Sequence, residues 1–503
     1  MQAATIPSEV DVLVVGGGIN GAGIARDLAG RALSVLLTEQ HDLASHTSSS
    51  STKLIHGGLR YLEHYEFSLV RKALAEREVL LRSAPHIMWP LRFVMPHDPA
   101  MRPVWMIRAG LFLYDHLARR EWLPPSRAVD LASHTAGAAL KPQFKRGFVY
   151  SDGWVDDARL VVLCAIDARQ RGAAVLTRWR CERARVDAGR WVAELAGCEG
   201  SPTRTVRARA LVNATGPWAS SFLQRQLDVP QAQSLRLVKG SHVVVPKLFD
   251  HDHAYIFQNA DRRIIFVIPY EGAFTLIGTT DVECHGDPGD AHADAHEVAY
   301  LCEQASRYLA REVLPSTVVW SYSGVRPLLD DETGDPSAVT RDYQLELTAA
   351  PAPLLSVWGG KITTFRKLAE EASDQLCQAL QMRAAPWTAR ALLPGGDLAG
   401  WIEPSGRPDT DIARFQHALS VRRPELTSAL CRRWSRSYGS LVQRLLDDPA
   451  GLGPEVAPGL HEAELRYLCD HEWAREADDV LWRRSKLGLH YGAGERATVA
   501  RWF

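Results

Sequence analysis

The chain has 503 residues, 46% of them hydrophobic and 23% charged, with a formal net charge of −1. That length argues for two or three domains rather than one simple core. The balanced charge excludes bulk nucleic-acid binding, which needs a basic excess, and the lack of any run of eighteen apolar residues excludes a membrane-spanning helix.

The N-terminal decapeptide MQAATIPSEV has neither a charged leader nor a long apolar run, so it is not read as a secretory signal. Next comes the apolar run Val10–Val15, which leads directly into Gly16-Gly17-Gly18-Ile19-Asn20-Gly21. A helix-compatible stretch, Ala22 to Ala29, follows, and a second apolar run from Ser34 ends at Glu39. This order predicts a βαβ unit that holds an ADP-containing cofactor. Gly16 permits the tight turn, Gly18 lets the backbone approach a pyrophosphate, and Gly21 lets helix and strand pack closely. The phosphates sit on the positive end of the helix dipole. Glu39 is placed to accept from the adenosine ribose, and its charge disfavours NADP.

Residues Thr47 to Glu63 pack hydroxyls, Lys53, His56 and two glycines just after that acid. Small hydroxyls and backbone amides suit phosphate and flavin-ring contacts; a flexible serine loop is the bland alternative. Val104 to Tyr114 is apolar, with basic flanks at Arg102, Arg119 and Arg120. It is too short to span a bilayer, but it suits either a buried core helix or a helix lying in a membrane interface.

Further on, Ala210–Thr215 reads as a strand entering a turn at Gly216. Ile264–Pro269 and Phe274–Gly278 read as two strands around Glu271-Gly272, and Leu354–Trp358 as a strand broken by Gly359-Gly360. Phe365, Leu368, Ala372 and Leu376 then recur at helical spacing. The nucleotide fold is therefore expected to be discontinuous. Pro394-Gly395-Gly396 marks a boundary. Beyond it Trp434, Trp473, Trp482 and Trp502 alternate with Arg432, Arg433, Arg436, Arg483 and Arg484. This predicts a helical C-terminal domain with packed tryptophans and solvated arginines, a subunit or membrane contact being the alternative. The eight cysteines form no Cys-x-x-Cys pair, so no metal, iron–sulfur or dithiol centre is expected, and scattered thiols fit a reducing compartment.

The expected architecture is α/β: a Rossmann-type βαβ nucleotide domain over residues 1–80, 146–235 and 325–385, a β-rich substrate cap over 81–145 and 236–324, and a helical C-terminal domain over 386–503.

Longer words carry a resemblance. GGGINGAGIARD at 16–27, SSSSTKLIHGGLRYLE at 48–63, YSDGWVDDARL at 150–160 and LVNATGPW at 211–218 are among them. So are KGSHVVVP at 239–246, LIGTTDVE at 276–283, YSGVRPL at 322–328, TRDY at 340–343, GGKITTFRKLAE at 359–370 and ADDVLWRRSKLGL at 477–489. The chain closely resembles the FAD-dependent glycerol-3-phosphate dehydrogenases of aerobic bacteria, and the resemblance runs over essentially its whole length. It implies noncovalent FAD, oxidation of sn-glycerol 3-phosphate to dihydroxyacetone phosphate by hydride transfer to flavin N5, and electron delivery to ubiquinone or menaquinone. It also implies a cytoplasmic enzyme held peripherally on the inner face of the cytoplasmic membrane, with a homodimer as a further expectation. A glycerophosphate oxidase reducing oxygen to peroxide is the alternative.

The cofactor residues expected on this basis are Gly16, Gly18, Asn20, Gly21, Glu39, Ser48, Ser49, Ser50, Lys53, His56, Gly57, Gly58, Ala214, Gly216, Gly359, Gly360, Lys361 and Thr363. A dianionic substrate needs fixed positive charge, which assigns Arg60, Arg326, Arg341 and Lys361 to its recognition, with Tyr61 as a neighbour. Lys361 also stands where a cation stabilises reduced flavin. His56 and His242 are candidates for the base that takes the C2 hydroxyl proton. Thr280 offers a hydroxyl, and Arg326 could hold the developing alkoxide instead.

Overall fold

The computed structural model describes residues 6–98, 103–198, 200–229, 233–259, 261, 263–329 and 342–503. At its centre lies β1 (Glu9–Val15), followed by α1 (Ile19–Gly30) and β2 (Val35–Glu39). Val12 to Val14 are fully buried, as a strand covered by layers on both faces requires. β1 pairs in parallel with β2 on one side and with Arg204–Asn213 on the other. Leu354–Trp358 extends the sheet beyond 204–213, and Ala174–Thr177 extends it beyond β2, both in parallel. α1 packs between the helices Asp157–Gln170 and Phe365–Ala379. The sheet's other face carries the hairpin Trp179–Asp187 and Arg190–Gly197 and the helix Ala219–Gln226.

The turn between β1 and α1 explains two of its glycines. Gly16 has φ +114°, outside the reach of most L-residues. A Cβ on Gly21 would sit 1.9 Å from the Gly16 carbonyl oxygen, so any side chain there would force α1 off the strand.

A second, antiparallel-rich sheet forms the cap, ten-stranded among the described residues. Its spine is Leu235–Pro246, which pairs with Trp320–Leu329 along one edge and Phe274–Gly278 along the other. The sheet corrects the expected domain limits. Leu54–Ile55 and Arg146–Val155 pair with each other in this sheet, and Arg146–Val155 also pairs with Met88–Pro96. Trp320–Leu329 lies across the limit placed at 325. Strand pairing is non-local, so a boundary drawn from chain order cut through partners.

Val104–His116 is a helix, but not a core helix: only Leu111 and Tyr114 are buried. Trp105, Met106, Phe112 and Leu113 face outward, Trp105 with 68% and Phe112 with 61% exposure. Arg102 lies outside the described residues.

The C-terminal region packs helices Pro408–Arg422, Ser428–Tyr438, Glu462–Glu472 and Ala493–Trp502 around Phe415, Trp434 and Tyr438. The expectation of solvated arginines fails at four of the five, Arg436 among them, which is partly buried and lies over the Trp89 ring, 4.5 Å from its centroid. Arg433 donates to the buried Glu464, which also accepts from the indole of Trp434 at 2.9 Å. Arg483 and Arg484 both reach Asp42, just beyond β2. Arg432 is exposed as expected. Trp482 stacks on Trp320 of the cap, with centroids 4.7 Å apart.

His86 is fully buried at the junction with the C-terminal region, beside Gly395 and Gly439. Neither ring nitrogen has a hydrogen-bond partner among the described residues. Burial, then the charges of Arg159 and Arg436, pushes its pKa down to about 3. Between that value and the ordinary histidine range the unfolded chain binds a proton that the folded chain refuses. Stability is therefore lost as the pH falls from about 6.5 towards 3. From pH 7 to pH 4 this one group costs about 3 kcal/mol. Urea midpoints of the parent and of His86→Leu at those two pH values are expected to differ by that pH-dependent increment. Parallel pH profiles would refute it.

Candidate active site

A cleft opens along the C-terminal edge of the nucleotide sheet, where open α/β sheets bind ligands. It runs from Glu39, Gln40 and Trp179, past Gly16, Gly18 and Asn20, to Pro327, Gly359 and Gly360. Both Glu39 oxygens are held: Oε2 accepts from the Gly17 N–H at 2.7 Å and Oε1 from the His41 N–H at 2.8 Å. Each keeps a lone pair for a ribose hydroxyl. Helix α1 has no side-chain cap from Gly18, and Ser48 Oγ instead accepts from the Ile19 N–H at 2.9 Å. The helix N-terminus and the glycine turn therefore present amides to an anion.

At the far end, Asn20 Nδ2 donates to the Gly359 carbonyl at 3.2 Å. Gly359 and Gly360 have φ +71° and +104°, and a Cβ on Gly360 would meet the Asn20 amide at 2.7 Å. Lys361 follows. Its ammonium is buried without a hydrogen-bond partner among the described residues and lies 4.1 Å from the Tyr61 ring centroid. A partnerless buried cation beside a bare glycine turn fits the electron-rich edge of an isoalloxazine. Ala214 and Gly216 line the middle of the cleft.

The loop after β2 divides its work. Ser49 Oγ donates back to the His46 carbonyl at 3.2 Å, and Ser50 packs on Gly324. Lys53 does not face the cleft, contrary to its expected cofactor role. It is fully buried, and Nζ donates to Asp157 at 2.8 Å and to the Ser49 carbonyl at 3.0 Å. Its φ of +60° turns the side chain under the loop, which it shapes from behind. The Gly57 N–H is taken by Tyr114 Oη at 2.8 Å, and Gly58 (φ +73°) lies against the Tyr61 ring. The His56 N–H points at Thr363 Oγ1, 3.4 Å away.

Arg326 lies on the cap strand that meets this loop. Thr47 donates to the Val325 carbonyl at 2.8 Å, and the Pro327 carbonyl lies against Gly359. The Arg326 guanidinium forms an ion pair with Asp281 and donates to Thr279 Oγ1 at 3.1 Å. Thr280, the expected catalytic threonine, is corrected. It is buried, and its hydroxyl donates to Glu297 at 2.6 Å while accepting from the Ser241 N–H. Thr279 and Asp281, on either side of it, bond the Arg326 guanidinium instead.

Of the two histidines, His56 is held below its usual range first by burial and then by Lys361 and Arg77, against the pull of Asp152. It is therefore neutral at pH 7 and able to accept a proton. His242 is buried, stacks on Tyr322 at 4.8 Å, and has Nε2 2.9 Å from Thr52 Oγ1. Burial and the charges of Arg326 and Lys53 hold it neutral. Arg60 belongs to the turn Leu59–His64, its side chain not among those described, and Arg341 lies outside the described residues.

A βαβ cleft with a ribose acid at one end and an orphaned lysine at the other defines a flavin dinucleotide protein. A family model described as FAD dependent oxidoreductase matches residues 11–366, and one described as the C-terminal domain of alpha-glycerophosphate oxidase matches 386–501. The glycerol-3-phosphate dehydrogenase of Pseudomonas aeruginosa is 52% identical over 99% of this chain and 96% of its own length. The D-erythritol 1-phosphate dehydrogenase of Brucella abortus is 47% identical over 99% and 98%. The FAD complex of the Bacillus halodurans glycerol-3-phosphate dehydrogenase superposes with a TM-score of 0.78 at 26% identity, over 98% of this chain and 90% of that one. The chain belongs to the FAD-dependent oxidoreductases and, among them, to the glycerol-3-phosphate dehydrogenase family.

Proposed function

We propose that this enzyme oxidises sn-glycerol 3-phosphate to dihydroxyacetone phosphate and passes the electrons to a membrane quinone. The observation that supports the substrate reading is that two cations flank residues of the cleft's flavin end: Arg326, next to Pro327 and ion-paired with Asp281, and Lys361, next to Gly360 and without a hydrogen-bond partner among the described residues. FAD, when bound, accepts a hydride at N5. The chain's own residues do the rest. Arg326 supplies a fork for the phosphate or for the alkoxide that develops at C2. Neutral His56 takes the C2 hydroxyl proton. Lys361 offsets the negative charge that arrives with the hydride.

The primary test is a visible spectrum before and after anaerobic addition of sn-glycerol 3-phosphate, with D-erythritol 1-phosphate as the comparison. Bleaching of the yellow protein by the three-carbon substrate supports the reading. Bleaching by the four-carbon substrate alone reassigns it, and no bleaching removes the substrate. The name of the C-terminal family keeps the oxidase reading in play. Rapid oxygen uptake with peroxide formation, in the absence of quinone, would establish it.

No helix among the described residues is long and apolar enough to cross a membrane. Trp105, Met106, Phe112 and Leu113 nevertheless form an outward apolar stripe on 104–116, with Arg108 and Arg119 exposed beside it. The 59–64 turn packs on this helix and leads to exposed Tyr65 and Phe67, whose centroids are 6.1 Å apart. Aromatic and basic side chains on one face suit an anionic bilayer surface. The double variant Trp105→Asp/Phe112→Asp is expected to lose at least tenfold in sedimentation with phosphatidylglycerol vesicles. Its turnover with a soluble dye should stay within twofold. Unchanged sedimentation would remove this surface from the membrane contact.

A further inference from the structure

The adenosine end of the cleft has two walls, the loop after β2 and the start of the 179–187 strand, which contributes Trp179, Arg180 and Cys181. Neither belongs to the C-terminal domain, yet one short segment of that domain holds both. On the first wall, Arg484 grips Asp42 with a two-pronged contact, Nη1 to Oδ2 and Nη2 to Oδ1, each 2.7 Å. Arg483 Nε adds a third bond to Asp42 at 2.5 Å. Asp42 and Arg484 are both buried. On the second wall, Arg178 immediately precedes Trp179. Its guanidinium donates to Asp479 at 3.0 Å, and its backbone N–H donates to the His41 carbonyl at 2.9 Å. Asp479 in turn pairs with Arg483.

The segment 479–484 thus forms a continuous chain of buried and partly buried charge running from one wall to the other. Burial alone would raise the Asp42 carboxyl; the two guanidiniums outweigh it and keep it ionised. The backbone on either side of Asp42 is committed to the cofactor: the His41 N–H sets Glu39, and the Ala44 N–H donates to the Gly17 carbonyl of the glycine turn at 3.2 Å. A displacement of Asp42 therefore reaches both the ribose acid and the pyrophosphate turn.

We infer that the C-terminal domain acts as a clasp on the FAD site, with Arg484 and Asp42 as positioning residues that set the adenosine half of the pocket. Neither lines the cleft; they fix the walls that do. Because coupling free energy is reciprocal, FAD should tighten the clasp as much as the clasp tightens FAD. The inference rests on FAD binding but not on the substrate or the electron acceptor.

The test is a titration of full-length apoprotein with FAD, and separately with ADP, which occupies only the nucleotide half. Arg484→Lys keeps the charge but loses the fork, and Asp42→Asn keeps the shape but loses the charge. Each is expected to raise the FAD dissociation constant at least tenfold and to weaken ADP by the same factor. A dissociation constant within twofold of the parent in a folded variant overturns the inference, as does a loss of FAD affinity with ADP unaffected. If both variants fail to fold, the parent decides. Amide exchange across 476–486 should slow at least tenfold when FAD is added, and unchanged exchange there overturns the inference. A parent chain that binds no FAD would instead remove the cofactor reading.

Discussion

Arg326→Ala is expected to lower kcat/KM for sn-glycerol 3-phosphate by about 10³-fold, or about 4 kcal/mol of transition-state stabilisation. Two effects add. The first is loss of a charge-assisted partner for a dianion, an interaction worth about 2–5 kcal/mol when buried. The second is particular to this site. Asp281 now shares the Arg326 guanidinium, and removing that guanidinium leaves a half-exposed carboxylate facing the substrate phosphate. The double variant Arg326→Ala/Asp281→Asn should therefore recover about tenfold of the loss, whereas Arg326→Lys should retain charge without the fork and lose about 10–10²-fold. Stopped-flow bleaching of the flavin measures all three. A single variant within threefold of the parent would remove Arg326 from the site.

Lys361→Met should act on the flavin rather than on binding. Methionine can keep the apolar stem over the Tyr61 ring while deleting the ammonium, so FAD should remain bound. Among the described residues the ammonium has no hydrogen-bond partner, only the Tyr61 ring, so most of its field is available to the cofactor. Removing one such stabilising group costs about 10²–10³ in rate. The same change should lower the flavin midpoint potential by about 60–90 mV, since 30 mV is about 1.4 kcal/mol for a two-electron couple. A slower reaction at an unchanged potential would move Lys361 from the flavin to the substrate.

How legible these groups were in the sequence follows from the range of the signal. Gly16, Gly18, Gly21 and Glu39 act within one βαβ unit, and local order exposed them. The C-terminal domain was visible as a change in helical pattern after Gly396. Distinguishing Thr279 from Thr280 needed the strand's end and its tilt, and Lys53 needed its left-handed backbone, neither of which composition carries. The 104–116 stripe has the same hydrophobicity whether it faces a core or a lipid, so only packing could decide. Arg483 and Arg484 look like any charged helix face until Asp42, 441 and 442 positions earlier, is brought against them.

The parallel order at the heart of the sheet has a consequence for synthesis. β1 leaves the ribosome first, but its neighbour arrives with residues 204–213, and the turn that closes the flavin end arrives with Gly359, 339 positions after Asn20. At roughly 5–20 residues per second, translation takes roughly 20–70 s to span that interval. For roughly 10–40 s of this time the apolar β1 waits for its lateral partner 204–213, and until Gly359 arrives no complete cradle for FAD exists. The cofactor can enter only a nearly finished chain, and products that stop short of residue 360 should emerge colourless and prone to aggregate.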